Sequence, residues 1–199
     1  MSQDVTMSHT PGEPWWNALR GDFPEALIAS IEAESRATSV RVFNASAFPV
    51  QVQEFDYLAA VLRSYQGRFP HEMIERAIVA RAMRRDAFLR SKTRASVIVD
   101  ASALRRPVGS DAILRSQHAW ARELHSKGRV PIRVMDGFYY GKETSFTLFV
   151  VDGDVIAFED TEKETVHVDP ERRDKLVARF DEFEQRATDL LDHPLLMAA

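Results

Sequence analysis

Asp100, Asp152 and Glu159 are the carboxylates best placed for chemistry. Asp100 closes the apolar run "VIVD", Glu159 closes "VIAFED" with Asp160 beside it, and Asp152 stands in the turn "DGD" between two apolar runs. Such carboxylates can do general acid or base work; the alternative for Asp100, favoured by its position, is to cap the loop that follows, and Glu159 and Asp160 share that ambiguity. Tyr139 and Tyr140, with Phe138 and flanked by Gly137 and Gly141, form the most aromatic loop, able to line a pocket or an interface. These five acid/base residues would suit a small enzyme of secondary metabolism working in a pocket. The sequence supplies neither an activated nucleophile nor a metal set. It has no cysteine, no GxSxG, no HExxH and no Gly-rich phosphate loop. Its histidines are scattered. His118 and His125 are seven apart on one expected helix, about 10 Å along the axis, too far to share an ion. No metal and no cofactor is expected.

The cations point elsewhere. Net charge is −4, but residues 76–106 hold nine Lys/Arg against two acids, and residues 152–192 hold fourteen acids against six bases. Either the two regions pack together, or a basic face is offered to an acidic partner. Arg81, Arg84, Arg85, Arg105 and Arg106 are the candidates for that face. A structural alternative has Arg81 and Arg84 bridging to Glu32, Glu34 or Asp100, in which case removing one partner destabilises the fold. No nucleic-acid recognition motif accompanies the basic stretch, so direct DNA binding is not expected. Trp15 and Trp16 are adjacent and cannot share a face of a helix or strand, so one packs while the other lines a surface or groove. With Tyr57, Phe138, Tyr139 and Tyr140 they are the candidates for a ligand pocket.

The elements that position these residues follow from periodicity. Residues 1–14 are polar and lack the basic flank and apolar stretch of a signal peptide, so a disordered tail is expected there. Leu27, Ile28 and Ile31 share a helical face. "VRVFNASAFPVQVQ" is extended and broken by Pro49, and "EFDYLAAVLRSY" returns to helix. "PHEMIERAIVARAMRRDAFLR" is a strong helix striped by Ile74, Ile78 and Ala82, with Arg76, Arg84 and Arg85 off that stripe. The period then changes. "ASVIVDASAL" holds a buried strand over Val97–Asp100. "SDAILRSQHAWARELHSKG" is a helix with Ser110 as N-cap and Gly128 past its end, lined by Ile113, Gln117, Trp120 and Leu124. "VPIRVMD", "SFTLFVVD", "VIAFED" and "ETVHVD" are further strands, the middle two joined as a hairpin. Asp169, Pro170 and Glu171 open a last helix striped by Leu176, Phe180, Phe183, Ala187 and Leu190.

The expected fold is α+β, or layered α/β. A helical N-terminal half packs on a mixed four- to five-stranded sheet, with a central helix and a long C-terminal helix. Residues 15–192 form one domain, with a helical subdomain over 15–92 and a sheet region over 93–192. With 199 residues the chain can bury a real core. No apolar run approaches the roughly 20 residues that span a bilayer. That absence and the lack of cysteine suggest a cytoplasmic protein.

Two resemblances add to this reading. Phospholipase-D-type enzymes carry a His, a Lys two residues later and an Asp after four more. Here that spacing holds Ser145, Thr147 and Asp152, so the strand resembles a catalytically dead half-site of such an enzyme. More broadly, "FPVQVQEFDY" (Pro49, Gln53, Tyr57), "RAMRRD" (Arg81, Arg84), "VIVDASALRRPVG" (Asp100, then Leu104 to Gly109), Gln117, "IRVMD" and Glu159 follow in order a pattern that the chain is similar to. It is the C-terminal domain of unknown function in actinobacterial XRE-type antitoxin-like transcriptional regulators. The departures are Arg85 for Gln, Ala101 for Glu, and the missing Gly-Leu-Leu after Pro49; no helix-turn-helix precedes the domain. The resemblance implies a stand-alone, non-enzymatic regulatory or sensor module that binds a small partner protein or a small-molecule ligand, with a homodimer also possible.

Overall fold

A computed structural model describes residues 12–136, 144–161 and 164–197. Six α-helices and seven strands are formed among the described residues: α1 Glu25–Arg36, β1 Ser39–Asn44, α2 Phe55–Arg63, α3 His71–Arg90, β2 Arg94–Asp100, α4 Asp111–Ser126, β3 Ile132–Met135, β4 Ser145–Val151, β5 Asp154–Asp160, β6 Thr165–His167, α5 Pro170–Arg186, β7 Thr188–Asp189 and α6 Pro194–Met197. Short 3-10 turns at Trp15–Leu19, Val50–Val52, Ala101–Leu104 and Leu190–Asp192 link them. The fold is α+β with a mixed sheet in the order β6-β5-β4-β1-β2-β3-β7. β1, β2 and β3 are parallel, and β4, β5, β6 and β7 join antiparallel.

The sheet has seven strands, not four or five, and a sheet region beginning at residue 93 omits its middle. β1, from the half expected to be helical, is the central strand. It is only six residues long, and Arg41 interrupts its apolar run. β7 has two residues, too few for any periodicity to show.

Alternation along the strands builds a core on each face. Val40, Val42, Val97, Val99, Ile132, Val134, Phe149 and Val151 point to one side, where they meet Tyr57, Phe88, Ala121 and Leu124 from α2, α3 and α4. Phe43, Ile98, Met135, Phe146, Leu148 and Ala157 point to the other side and meet Leu176, Phe180 and Phe183 of α5. Leu190 is not part of the α5 stripe. That helix ends at Arg186, and Leu190 packs on the opposite face.

The basic α3 and the acidic α5 therefore lie on opposite faces of the sheet and do not neutralise each other. α5 is held by cations from the strands beneath it. Arg41 of β1 pairs with Asp181 and lies 4.4 Å over the Phe180 ring, and Arg133 of β3 donates to the Glu184 carbonyl at 2.6 Å. The helix starts behave as their sequences require. Ser110 and Asp169 accept from the backbone N–H groups of Ile113 and Arg172, and Pro170 occupies the first turn of α5.

Candidate functional site

The three candidate carboxylates do not converge. Asp100 ends β2 and accepts from the Ser102 N–H, capping the 3-10 turn that follows. Glu159 ends β5 at the same edge of the sheet, with β1 and β4 between them, so about 14 Å separates the two strands. Arg172 of α5 grips Glu159 through two hydrogen bonds of 2.8 and 2.6 Å, and Thr144 donates at 2.7 Å. The Arg172 contact, reinforced by Thr144 and opposed by partial burial, holds the Glu159 carboxyl below its usual range. Such a carboxylate stays ionised and anchors a helix; it makes a poor proton shuttle. Asp152 occupies the β4–β5 turn in the left-handed region at φ 54° and pairs with Arg36. It sits at the opposite edge, roughly 20 Å along the strands from Asp100 and Glu159. Phe138, Tyr139 and Tyr140 lie outside the described residues.

The Ser145, Thr147 and Asp152 set is likewise dispersed. The Ser145 hydroxyl accepts from the Ala45 N–H at 3.0 Å and donates to Asn44 Oδ1 at 3.2 Å, fastening the start of β4 to the end of β1. Asp152 lies at the far end of the same strand.

The arginines of α3 divide by partner. Arg84 donates to Glu34 at 2.6 Å and to Ser30 at 3.3 Å, with Gln51 bonded to the other carboxylate oxygen. It joins α3 to α1, the structural role weighed for it above, with Glu34 as the partner and not Asp100. Arg85 holds Asp86 at 2.8 Å and the Gln53 carbonyl at 3.3 Å. Neither cation stands on an open face. Arg81 is half-buried and pairs with no carboxylate among the described residues. Burial pushes its guanidinium pKa down, helped by the neighbouring Arg84 charge and opposed by Asp160 and Tyr65. Arg105 and Arg106 alone are exposed, in the loop after β2.

Tyr57 is a core residue. It is fully buried, stacks edge-on against Phe48 at 5.8 Å and accepts the Phe48 N–H at 3.4 Å, and burial raises its phenol pKa. Trp15 and Trp16 meet edge to face at 5.8 Å in a 3-10 turn, and both line one shallow cleft of about 140 Å³ with Ile31, Glu34, Arg84 and Phe88. A second cleft of about 190 Å³ lies between Phe23, Pro70, Met73 and Arg76. Both fall below the roughly 300 Å³ at which drug-sized ligand pockets begin. Among the described residues no group of three metal-ligating side chains is found, and no helix is long and apolar enough to cross a membrane.

Sequence reasoning missed a surface. Of the large apolar side chains left exposed among the described residues, Tyr65 at 40%, Phe69 at 51% and Met73 at 38% lie around the tip of the α2–α3 hairpin, and Phe55 at 47% lies at the far end of α2. Tyr65 and Phe69 form an edge-to-face pair 6.3 Å apart at the hairpin tip. Their positions in "SYQGRFP", a turn segment without periodicity, gave no signal beyond aromatic residues in a polar loop.

A family model described as "Domain of unknown function (DUF5753)" matches residues 28–192. This chain belongs to that family. No curated protein matches it. Among solved structures, the DUF5753 chain is similar to one titled "Structure of TrmBL2, an archaeal chromatin protein, shows a novel mode of DNA binding.". Identity is 14% and the TM-score 0.38, over 82% of this chain and 49% of that one, a likeness too slight to bear on function. The DUF5753 chain thus spans about half the length of that structure.

Proposed function

We propose that this DUF5753 domain is a non-enzymatic regulatory module that binds a small partner protein through the outer face of its α2–α3 hairpin. One observation carries the reading: Tyr65, Phe69 and Met73, each more than a third exposed, stand around the tip of one helical hairpin. Large apolar side chains gathered on a surface, with an edge-to-face aromatic pair at the tip, are what a protein interface presents at its centre. Arg68 stands exposed beside them, so the rim suits an acidic partner. The resemblance to the C-terminal domains of XRE-type antitoxin-like regulators supports a regulatory setting. The dispersed carboxylates, each held by a structural partner, weigh against the enzyme alternative.

The test is native mass spectrometry of the protein purified from its own organism, beside a Tyr65→Ser/Phe69→Ser variant. A stoichiometric protein passenger is expected on the wild type and lost from the variant at unchanged melting temperature. A passenger retained by the variant, or a protein that carries only itself, overturns the reading. A second copy in that place would make the hairpin a homodimer surface.

A further inference from the structure

The cleft of about 190 Å³ lies where the helical hairpin meets the segment that leads into α1. Asp22 and Phe23 form one wall, and Pro70, Glu72, Met73 and Arg76, at the start of α3, form the other. Both walls are fixed. The Phe23 N–H donates to the Leu19 carbonyl at 3.1 Å, and its side chain packs against the buried cluster of Leu19, Ile28, Ile31 and Ala80. The Pro70 carbonyl accepts from the N–H of the buried Ile74 at 3.2 Å. Arg76 pairs with Asp22 and ties the two walls together. A site formed in advance costs its occupant little ordering. The cleft is too small for a drug-sized molecule and of a size that one side chain fills.

The lining selects the kind of side chain. Phe23, Pro70 and Met73 offer an aromatic ring, a pyrrolidine ring and a thioether, and methionine sulfur makes favourable contacts with aromatic ring edges. Asp22 and Arg76 satisfy each other. Glu72 is exposed and has no ion pair or hydrogen bond among the described residues. Its carboxylate accepts and does not donate. An apolar floor with one open acceptor at the rim suits an aromatic side chain that brings its own donor, the O–H of tyrosine or the N–H of tryptophan. Leucine or phenylalanine would leave the acceptor unused, and a lysine would meet the Arg76 charge.

We infer that this cleft seats a tyrosine or tryptophan of the partner protein, its ring among Phe23, Pro70 and Met73 and its donor on Glu72. The inference rests on the reading of the hairpin as a partner surface, with which the cleft shares Met73. The docking surface then runs from the Tyr65 and Phe69 pair at the tip to the turn before α1, and the buried anchor supplies its hot spot.

The experiment is an NMR titration of the full chain with the N-acetyl amides of tyrosine, tryptophan, phenylalanine and leucine over the millimolar range. The tyrosine and tryptophan amides are expected to shift the Met73 ε-methyl and the Phe23 amide saturably, while the methyl of the fully buried Met135 stays in place. They bind about 2- to 10-fold more tightly than the phenylalanine amide, the worth of one hydrogen bond, and the leucine amide binds most weakly. Glu72→Ala brings the tyrosine amide down to the level of the phenylalanine amide. Met73→Trp fills the cleft from a position that is 38% exposed. It abolishes the Phe23 shift and sheds the protein passenger at unchanged melting temperature. No saturable shift with the tyrosine or tryptophan amide overturns the cleft, as does a leucine amide that binds equally well. A Glu72→Ala protein that binds the tyrosine amide as tightly as the wild type overturns the role of Glu72. The amides titrate without any partner, so the two readings fail separately. A passenger without amide binding, or one kept by Met73→Trp, sinks the cleft and spares the hairpin. Amide binding by a protein that carries no passenger sinks the hairpin surface, and with it the assignment of the anchor to a partner.

Discussion

The Arg84 guanidinium lies 2.6 Å from the Glu34 carboxylate, with the side chains only 13% and 6% exposed. The pair ties α3 to α1 inside the helical layer, and Gln51 completes the coordination of the carboxylate. Removing one member strands a buried charge. Arg84→Ala is expected to lower unfolding stability by about 3–5 kcal/mol, read by urea titration. The combined Arg84→Met/Glu34→Leu variant should recover most of that loss, since neither charge is then left alone. An Arg84→Ala protein as stable as the wild type would return Arg84 to the list of candidates for partner binding.

The same pair shows what was legible in the sequence. Residue type and helix periodicity placed Arg84 against Glu34 as one of three possible partners, but choosing among them needed the angle at which α1 crosses α3. Elements with strong local signals, such as α4 with its Ser110 cap, α5 with Asp169 and Pro170, and the β4–β5 hairpin, could be read directly. β1 could be read only as an extended stretch. This six-residue strand gets its partners, parallel β2 and antiparallel β4, from more than 50 residues away in the chain, and nothing local marks it as central. On α3 the periodicity of apolar residues marks Ile74, Ile78 and Ala82, whereas the buried side runs from Ile74 and Ile78 past the half-buried Arg81 and Arg85 to Phe88, a path that apolar periodicity cannot show.

Arg129 closes the C-terminus of α3. It donates to the carbonyls of Phe88, Leu89, Ser91 and Thr93 at 2.5 to 3.3 Å and lies 4.8 Å over the Phe88 ring. A cation placed on the last carbonyls of a helix satisfies orphan acceptors and opposes the helix dipole. Arg129→Ala is expected to cost about 2 kcal/mol or more, and Arg129→Lys to recover only part of it, because an ammonium cannot fork across several carbonyls. Hydrogen exchange would locate the effect: amides of the last turn of α3 should lose protection before those of its first turn. Uniform loss along the helix would argue against a local cap.

Gly109 gives the "LRRPVG" motif a physical reason. Its φ is +65°, and a Cβ there would meet Ile113 Cδ1 at 2.7 Å and the Ala60 Cβ at 3.1 Å. The loop after β2 must pass this close to α2 and α4 with a left-handed residue, which glycine alone adopts without strain. Gly109→Ala is expected to destabilise by about 1–3 kcal/mol, while Gly128→Ala, also at positive φ but in open space, loses only the backbone term. Equal melting temperatures for the two variants would show that the close approach to α2 does not matter.

His118 should make stability depend on pH. It lies 6.0 Å from the Phe48 ring on the partly buried side of α4, and burial pushes its pKa below the usual 6.5, with Arg122 acting in the same direction and a hydrogen bond to the Leu104 backbone opposing it. A base whose folded pKa is depressed binds its proton more tightly in the unfolded chain. Its contribution is therefore intact above about 6.5 and is lost as pH falls through that value towards the folded pKa. Urea titrations between pH 5 and pH 8 should show wild-type stability falling on the acid side. His118→Gln, which stays neutral throughout, should show a shallower fall, the difference between the two growing steadily below pH 6.5. Parallel profiles for the two proteins would mean that His118 titrates alike in the folded and unfolded states, and that its place against Phe48 is no drier than the surface.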